Sequence, residues 1–172
     1  RKKYDWIAPQ IVNLPVDVVI GGGNKITTPA LQQSLKEQGI PYFANDLKSM
    51  RTFQGKQMWA LFGEYDMPYD LDRNPYKIPS LAESCEKAIS LLNDPEGEGF
   101  FLMVEGSKVD WAAHANDPVG IASEMLAFDK AVGVALDFAR RDGNTAIVIM
   151  PDHGNSGLSI GLQRLRHADK QG

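Results

Sequence analysis

Phe100-Phe-Leu-Met-Val104 runs directly into Glu105-Gly-Ser-Lys-Val-Asp110-Trp-Ala-Ala-His114. An apolar run followed at once by a carboxylate, and then by an acid and an imidazole four apart, reads as a buried strand delivering polar groups at its carboxyl end. A second stretch repeats the arrangement, with Ala146-Ile-Val-Ile-Met150 ending in Pro151-Asp152-His153-Gly154. Uninterrupted apolar strands belong in parallel sheets covered on both faces. Such sheets bind ligands just beyond the carboxyl ends of their strands. The two stretches therefore predict an α/β protein with a mainly parallel central sheet flanked by helices, and with its functional groups at one edge of that sheet.

Upstream, strand and helix alternate. Val16–Ile20 reads as a strand closed by Gly21-Gly-Gly23, and Thr27 or Thr28 can cap a helix that has Pro29 in its first turn and ends near Gly39. Pro41–Ala44 and Gln57–Phe62 read as the second and third strands, on either side of a short helix from Asp46 to Met50. Residues 63–79 hold three prolines and many polar groups and read as a long surface loop. Ser80 and Glu83 form a capping box for a helix whose apolar face carries Leu81, Cys85, Ala88 and Leu92. Asp94–Gly99 is a turn ahead of a fourth strand at Phe100. Asp117-Pro118 opens the longest helix, whose stripe of Ile121, Met125, Phe128, Val132, Ala135 and Ala139 reads as core packing. Gly143 ends it before a fifth strand from Thr145.

The 172 residues are enough for one domain with its own core, so residues 1–172 are expected to form a single domain. Hydrophobic residues make up 43%, which is globular usage. With 18 basic against 22 acidic side chains, the net charge of −4 argues against a nucleic-acid surface. Arg1-Lys-Lys3 reads as a solvated end. Cys85 is the one cysteine, which excludes an internal disulfide and a multi-thiolate metal site, and it reads as a buried, inert thiol. No apolar run approaches the ~20 residues of a membrane span, and no signal peptide is visible at the start. The stretch after Ile160 carries no ending signal and reads as cut rather than finished.

A carboxylate leaving an apolar strand, as Glu105 does, is costly unless paired or ligating. Asp110 and His114 share a helix face if both lie on one helix, so an oxygen and a nitrogen donor can reach one ion. The bland alternative is a surface salt-bridge loop. Asp152 and His153 are adjacent, so using both needs a bend, which Pro151 and Gly154 permit. Oxygen and imidazole donors without thiolate suit Zn or Mg. His167 lies in a charged stretch without a carboxylate partner at metal spacing and reads as exposed. Gly21-Gly-Gly23 lacks the spaced glycines of a dinucleotide fingerprint and the Lys-Ser/Thr of a P-loop, and reads as a tight turn.

Phe101-Leu-Met-Val-Glu-Gly-Ser-Lys-Val-Asp-Trp-Ala-Ala-His-Ala-Asn-Asp-Pro118 resembles the metal-ligand segment of the alkaline phosphatases. Val16–Gly23, Leu61–Pro68, Pro79–Ala82 and Gly143–His153 resemble further family segments in family order, so the resemblance covers nearly the whole chain. It implies an αβα sandwich that hydrolyses phosphate monoesters through a phosphoserine, using two zinc ions and one magnesium. Carried over residue by residue, it implies that Asp110 and His114 ligate the first zinc, Asp152 and His153 the second, and Glu105 the magnesium. Trp111 falls near the third metal and the phosphate, a substrate-binding position. The family's nucleophilic serine, bridging aspartate and phosphate-clamping arginine precede the part matching Arg1, and the last histidine of the first zinc site follows the part matching Gly172. The resemblance thus implies a central fragment with no catalytic nucleophile, inactive alone, its metals wholly or partly absent. Met150-Pro151 and Gly154-Asn155 replace the family's usual neighbours of Asp152-His153. A secreted or periplasmic homodimer is implied as well. A related phosphodiesterase or sulfatase, and a metal-binding or interaction module without catalysis, are the alternative readings.

Overall fold

Three of the expected strands form and pair in parallel. In the computed structural model, which describes residues 3–159, these are β1 (Val18–Gly21), β2 (Tyr42–Ala44) and β3 (Met58–Leu61). Their spatial order is β1-β3-β2, with Val18 opposite Met58 and Tyr42 opposite Trp59. The central strand β3 is buried at every position, as a strand covered on both faces must be. Its alternation divides the core. Trp59 and Leu61 pack with Val12, Leu35 and Ile40 on one face, while Met58, Ala60 and Phe62 pack with Leu47 and Met50 on the other.

The connecting helices form where the capping signals place them. In α2 (Pro29–Glu37) the Thr28 hydroxyl accepts from the Leu31 amide, and α3 (Leu47–Thr52) begins where the Asp46 carboxylate accepts from the Ser49 amide. In α4 (Leu81–Leu92) the Ser80 hydroxyl accepts from Glu83, and in α6 (Pro118–Asp142) the Asp117 carboxylate accepts from Val119. Two further helices are α1 (Tyr4–Val12) and α5 (Ser107–His114). Nothing in the sequence periodicity marks residues 4–12, because Pro9 inside α1 is a breaker signal. The architecture is α/β, a parallel sheet flanked by helices.

Two sequence expectations need correction. Residues 100–104 and 146–150 belong to no strand. Phe100, Leu102 and Val104 do alternate inward, against α4 and α6, while Phe101 and Met103 remain 89% and 77% exposed. Val148, Ile149 and Met150 are likewise exposed. An apolar β-rich run sets which side chains are buried, but a ladder also needs a neighbouring strand, and among the described residues none adjoins either run. The second correction concerns α6. Its buried stripe is Gly120, Glu124, Ala127 and Ala131, one residue earlier than the bulky stripe expected, and Met125 is exposed. Small residues face inward because α4 and α5 both pack closely on this helix. The expectation for His167 lies outside the described residues.

Candidate metal centre

Helix α5 begins without a side-chain cap. Gly106 precedes it, and a Cβ there would come within 2.9 Å of the Phe128 ring of α6. Glycine is needed because the chain passes so close to α6. Farther along, Ala112 and Ala113 are buried, and a Cβ on Gly120 would meet Ala112 at 3.0 Å. The α5–α6 turn is closed by the Asn116 amide donating to Ala113 O and the Asp117 amide to Ala112 O. With its small face held on α6, α5 presents Asp110 and His114 from its other side.

Those two side chains meet a third. His114 Nε2 lies 3.3 Å from Asp110 Oδ1, and His153 Nε2 lies 3.7 Å from the same oxygen. The two imidazole rings are 6.0 Å apart, tilted by 58°. One donor atom from each of the three falls within 4.8 Å of the others. A carboxylate and two imidazoles are the donor types of catalytic zinc sites, and tetrahedral bonds of about 2.0–2.1 Å put neighbouring donors roughly 3.3 Å apart. The chemistry and spacing of the set fit a divalent cation. The cluster is open: the Asp110, His114 and His153 side chains are 37%, 64% and 51% exposed.

Glu105 and Asp152 do not join this group. Glu105 is exposed one residue before Gly106. Asp152 is 83% exposed, its Oδ1 accepting from the His153 amide at 2.9 Å and its Oδ2 lying 3.5 Å from His153 Nε2. Trp111 stands next to Asp110, with the Lys108 ammonium 3.6 Å from its ring centroid.

Three residues of the site escape the sequence reading. Asn155 Nδ2 donates to Asp110 Oδ1 at 2.7 Å, orienting the carboxylate that both imidazoles face. The departure from the family pattern at Gly154-Asn155 is the signal that could have found it. Lys108 is paired with Asp66 from the loop after β3. The buried Glu124 carboxylate of α6 accepts from the Asp70 amide at 2.5 Å, fixing a single 3-10 turn at Asp70–Asp72 in the same loop. A charged residue in the first turn of a helix against its dipole, and a charge on a buried stripe, are the respective clues.

The Alkaline phosphatase family model matches residues 2–170. "Alkaline phosphatase 3" of Bacillus subtilis (strain 168) is 41% identical over 149 residues, covering 85% of this chain and 32% of that protein. Among solved structures, a cold-active alkaline phosphatase from a psychrophilic Shewanella sp. superposes with a TM-score of 0.75 at 30% identity, over 82% of this chain and 34% of that one. A variant of TAB5 alkaline phosphatase with Mg bound in its M3 site superposes with a TM-score of 0.65 at 30% identity, over 80% and 40%. The chain therefore spans about a third of the length of the relatives it matches.

Proposed function

The chain belongs to the alkaline phosphatase family, and from that premise we propose that it supplies part of the metal site of a phosphate monoester hydrolase. The observation that carries this reading is the convergence of Asp110, His114 and His153 within 4.8 Å, from α5 and from the segment after residue 150. In this reading Asp110 and His114 would hold one zinc, and Asp152 and His153 a second. Glu105 contributes to a magnesium. When bound, such ions neutralise the transferring phosphoryl group and make a water acidic near neutral pH.

The chain's own residues do the positioning. Asp110 offsets part of the cationic charge, while Asn155 holds one of its oxygens and so fixes the direction the carboxylate presents. The imidazoles of His114 and His153 bring no negative charge to a bound cation, which would leave the site net positive toward a phosphate dianion. Phosphoryl transfer asks chiefly for placement and charge compensation. Trp111 walls the substrate side beside Asp110. The reaction proceeds through a phosphorylated serine carried outside these residues, in a secreted or periplasmic homodimer.

The test is made on the full-length protein that carries this chain. Turnover of p-nitrophenyl phosphate is expected to vanish on chelation, return with zinc and magnesium, and be lost in Asp110→Ala. Turnover indifferent to chelation, or retained in Asp110→Ala, would overturn the reading. Preference for bis-p-nitrophenyl phosphate or p-nitrophenyl sulfate would instead select the phosphodiesterase or sulfatase reading.

A further inference from the structure

Lys108 occupies an unfavourable place for a cation. It is the second residue of α5, in the first turn, where the helix dipole disfavours positive charge. Its side chain is only 11% exposed, and removing an ammonium from water is costly unless its partners replace the hydration. The partners come from two parts of the fold. The Asp66 carboxylate pairs with Lys108 Nζ. The ammonium lies 3.6 Å from the Trp111 ring centroid on its own helix and 5.0 Å from that of Tyr69. Local preference is thus broken in favour of a tertiary arrangement, a pattern that marks functional sites.

Asp66 is itself firmly placed. A Cβ on Gly22, just past β1, would collide with the Asp66 backbone. The Asn24 amide donates to Gly63 O at 3.1 Å and the Lys25 amide to Glu64 O at 2.9 Å, binding the exits of β1 and β3 together. Tyr69 precedes the turn that Glu124 holds from α6. The loop after β3 is thus anchored to the sheet at one end and to α6 at the other. Lys108 joins this loop to the first turn of α5, which has no side-chain cap of its own.

We propose that Lys108 is a positioning residue for the metal centre: clasped by Asp66 and laid against Trp111, it fixes α5, and with it Asp110 and the indole, relative to the sheet. Its charge acts on the ring through the cation–π contact, which an arginine also makes and an apolar side chain of the same length does not. The proposal rests on the metal-site reading above for its consequence, but the placement of Trp111 can be read independently of catalysis.

The experiment uses the full-length protein in a Trp6→Phe background. The exposed Trp6 is then silent, and Trp59, only 5% exposed, is shielded from acrylamide. Quenching that is lost on further Trp111→Phe reports Trp111. Lys108→Met, Lys108→Arg and Asp66→Asn are compared for this quenching, for zinc affinity by chelator competition and for thermal unfolding. Lys108→Met is expected to fold, to raise acrylamide quenching of Trp111, and to weaken zinc about tenfold, at the lower end of the effect of residues supporting metal ligands. Lys108→Arg is expected to restore both, and Asp66→Asn to shift both the same way as Lys108→Met. Wild-type quenching and zinc affinity in a folded Lys108→Met, or no recovery with arginine, would overturn the proposal. If Lys108→Met does not fold, Asp66→Asn alone decides, and unchanged quenching and affinity there overturn it. If the wild-type protein binds zinc without hydrolysing phosphate monoesters, the functional reading fails while both readouts for Lys108 remain decisive.

Discussion

Asp110 is the residue on which the site turns, because His114, His153 and Asn155 all address the same carboxylate oxygen. The Asn155 amide donates and cannot ligate through its nitrogen, so it orients the carboxylate without competing for a cation. Asn155→Ala should weaken zinc binding about tenfold with little change in melting temperature; an unchanged zinc Kd in the full-length protein would show the hydrogen bond to be idle. The i, i+4 pair was readable because it is local: one helix turn brings both side chains to one face. The partners of Asn155 and Lys108 were not readable, since they lie 45 and 42 residues away in sequence and no periodicity reports such a contact. Cys85 illustrates the opposite case, a residue whose reading needed no tertiary knowledge. It is 2% exposed, and burial pushes its thiol above the usual range, so thiolate is scarce. Ellman's reagent at mildly alkaline pH should leave Cys85 unmodified in the folded protein and label it in urea; rapid labelling without urea would contradict its placement.

At the scale of elements, capping chemistry was legible and pairing was legible in part, since three of the five expected strands pair in parallel. Thr28, Asp46, Ser80 and Asp117 each begin a helix as their side chains predict. The Ser49 hydroxyl and amide hold the Asp46 carboxyl below its ordinary value. A folded-state pKa lowered in this way gives a stabilisation present above the unfolded value, near 3.8, and lost as pH falls through the folded one. The melting temperature of Asp46→Ala should therefore fall below wild type at pH 6 and converge on it as pH falls through the lowered folded-state value; a gap that persists in acid would assign the effect to something other than the charged cap. The stretches 100–104 and 146–150 show where the sequence stops informing. Their composition marks apolar, strand-like runs, but pairing depends on neighbours that composition does not name. Helix α6 shows a related limit: ranking residues by size and hydrophobicity selects Met125 and Phe128, whereas close approach to α4 and α5 selects Gly120, Ala127 and Ala131.

For the whole molecule, the two halves of the site come from widely separated segments, α5 and residues 153–155, brought together beside α6. The 172-residue chain by itself is expected not to turn over p-nitrophenyl phosphate at the rate of the full-length protein, since on the proposed reading its residues supply only part of the metal site. Turnover by the isolated chain that Asp110→Ala abolishes would show that these residues suffice. Exposed apolar side chains at Phe101, Met103, Val148 and Met150 make aggregation of the isolated chain a further expected outcome, visible by light scattering. The most direct measurement is anomalous diffraction at the zinc absorption edge from crystals of the full-length protein grown with zinc. A peak within bonding distance of Asp110 and His114, with His153 bonded to the same ion or to an adjacent one, is the expected result. Zinc bound elsewhere, with these three side chains free of it, would contradict the assignment of this cluster as the metal centre.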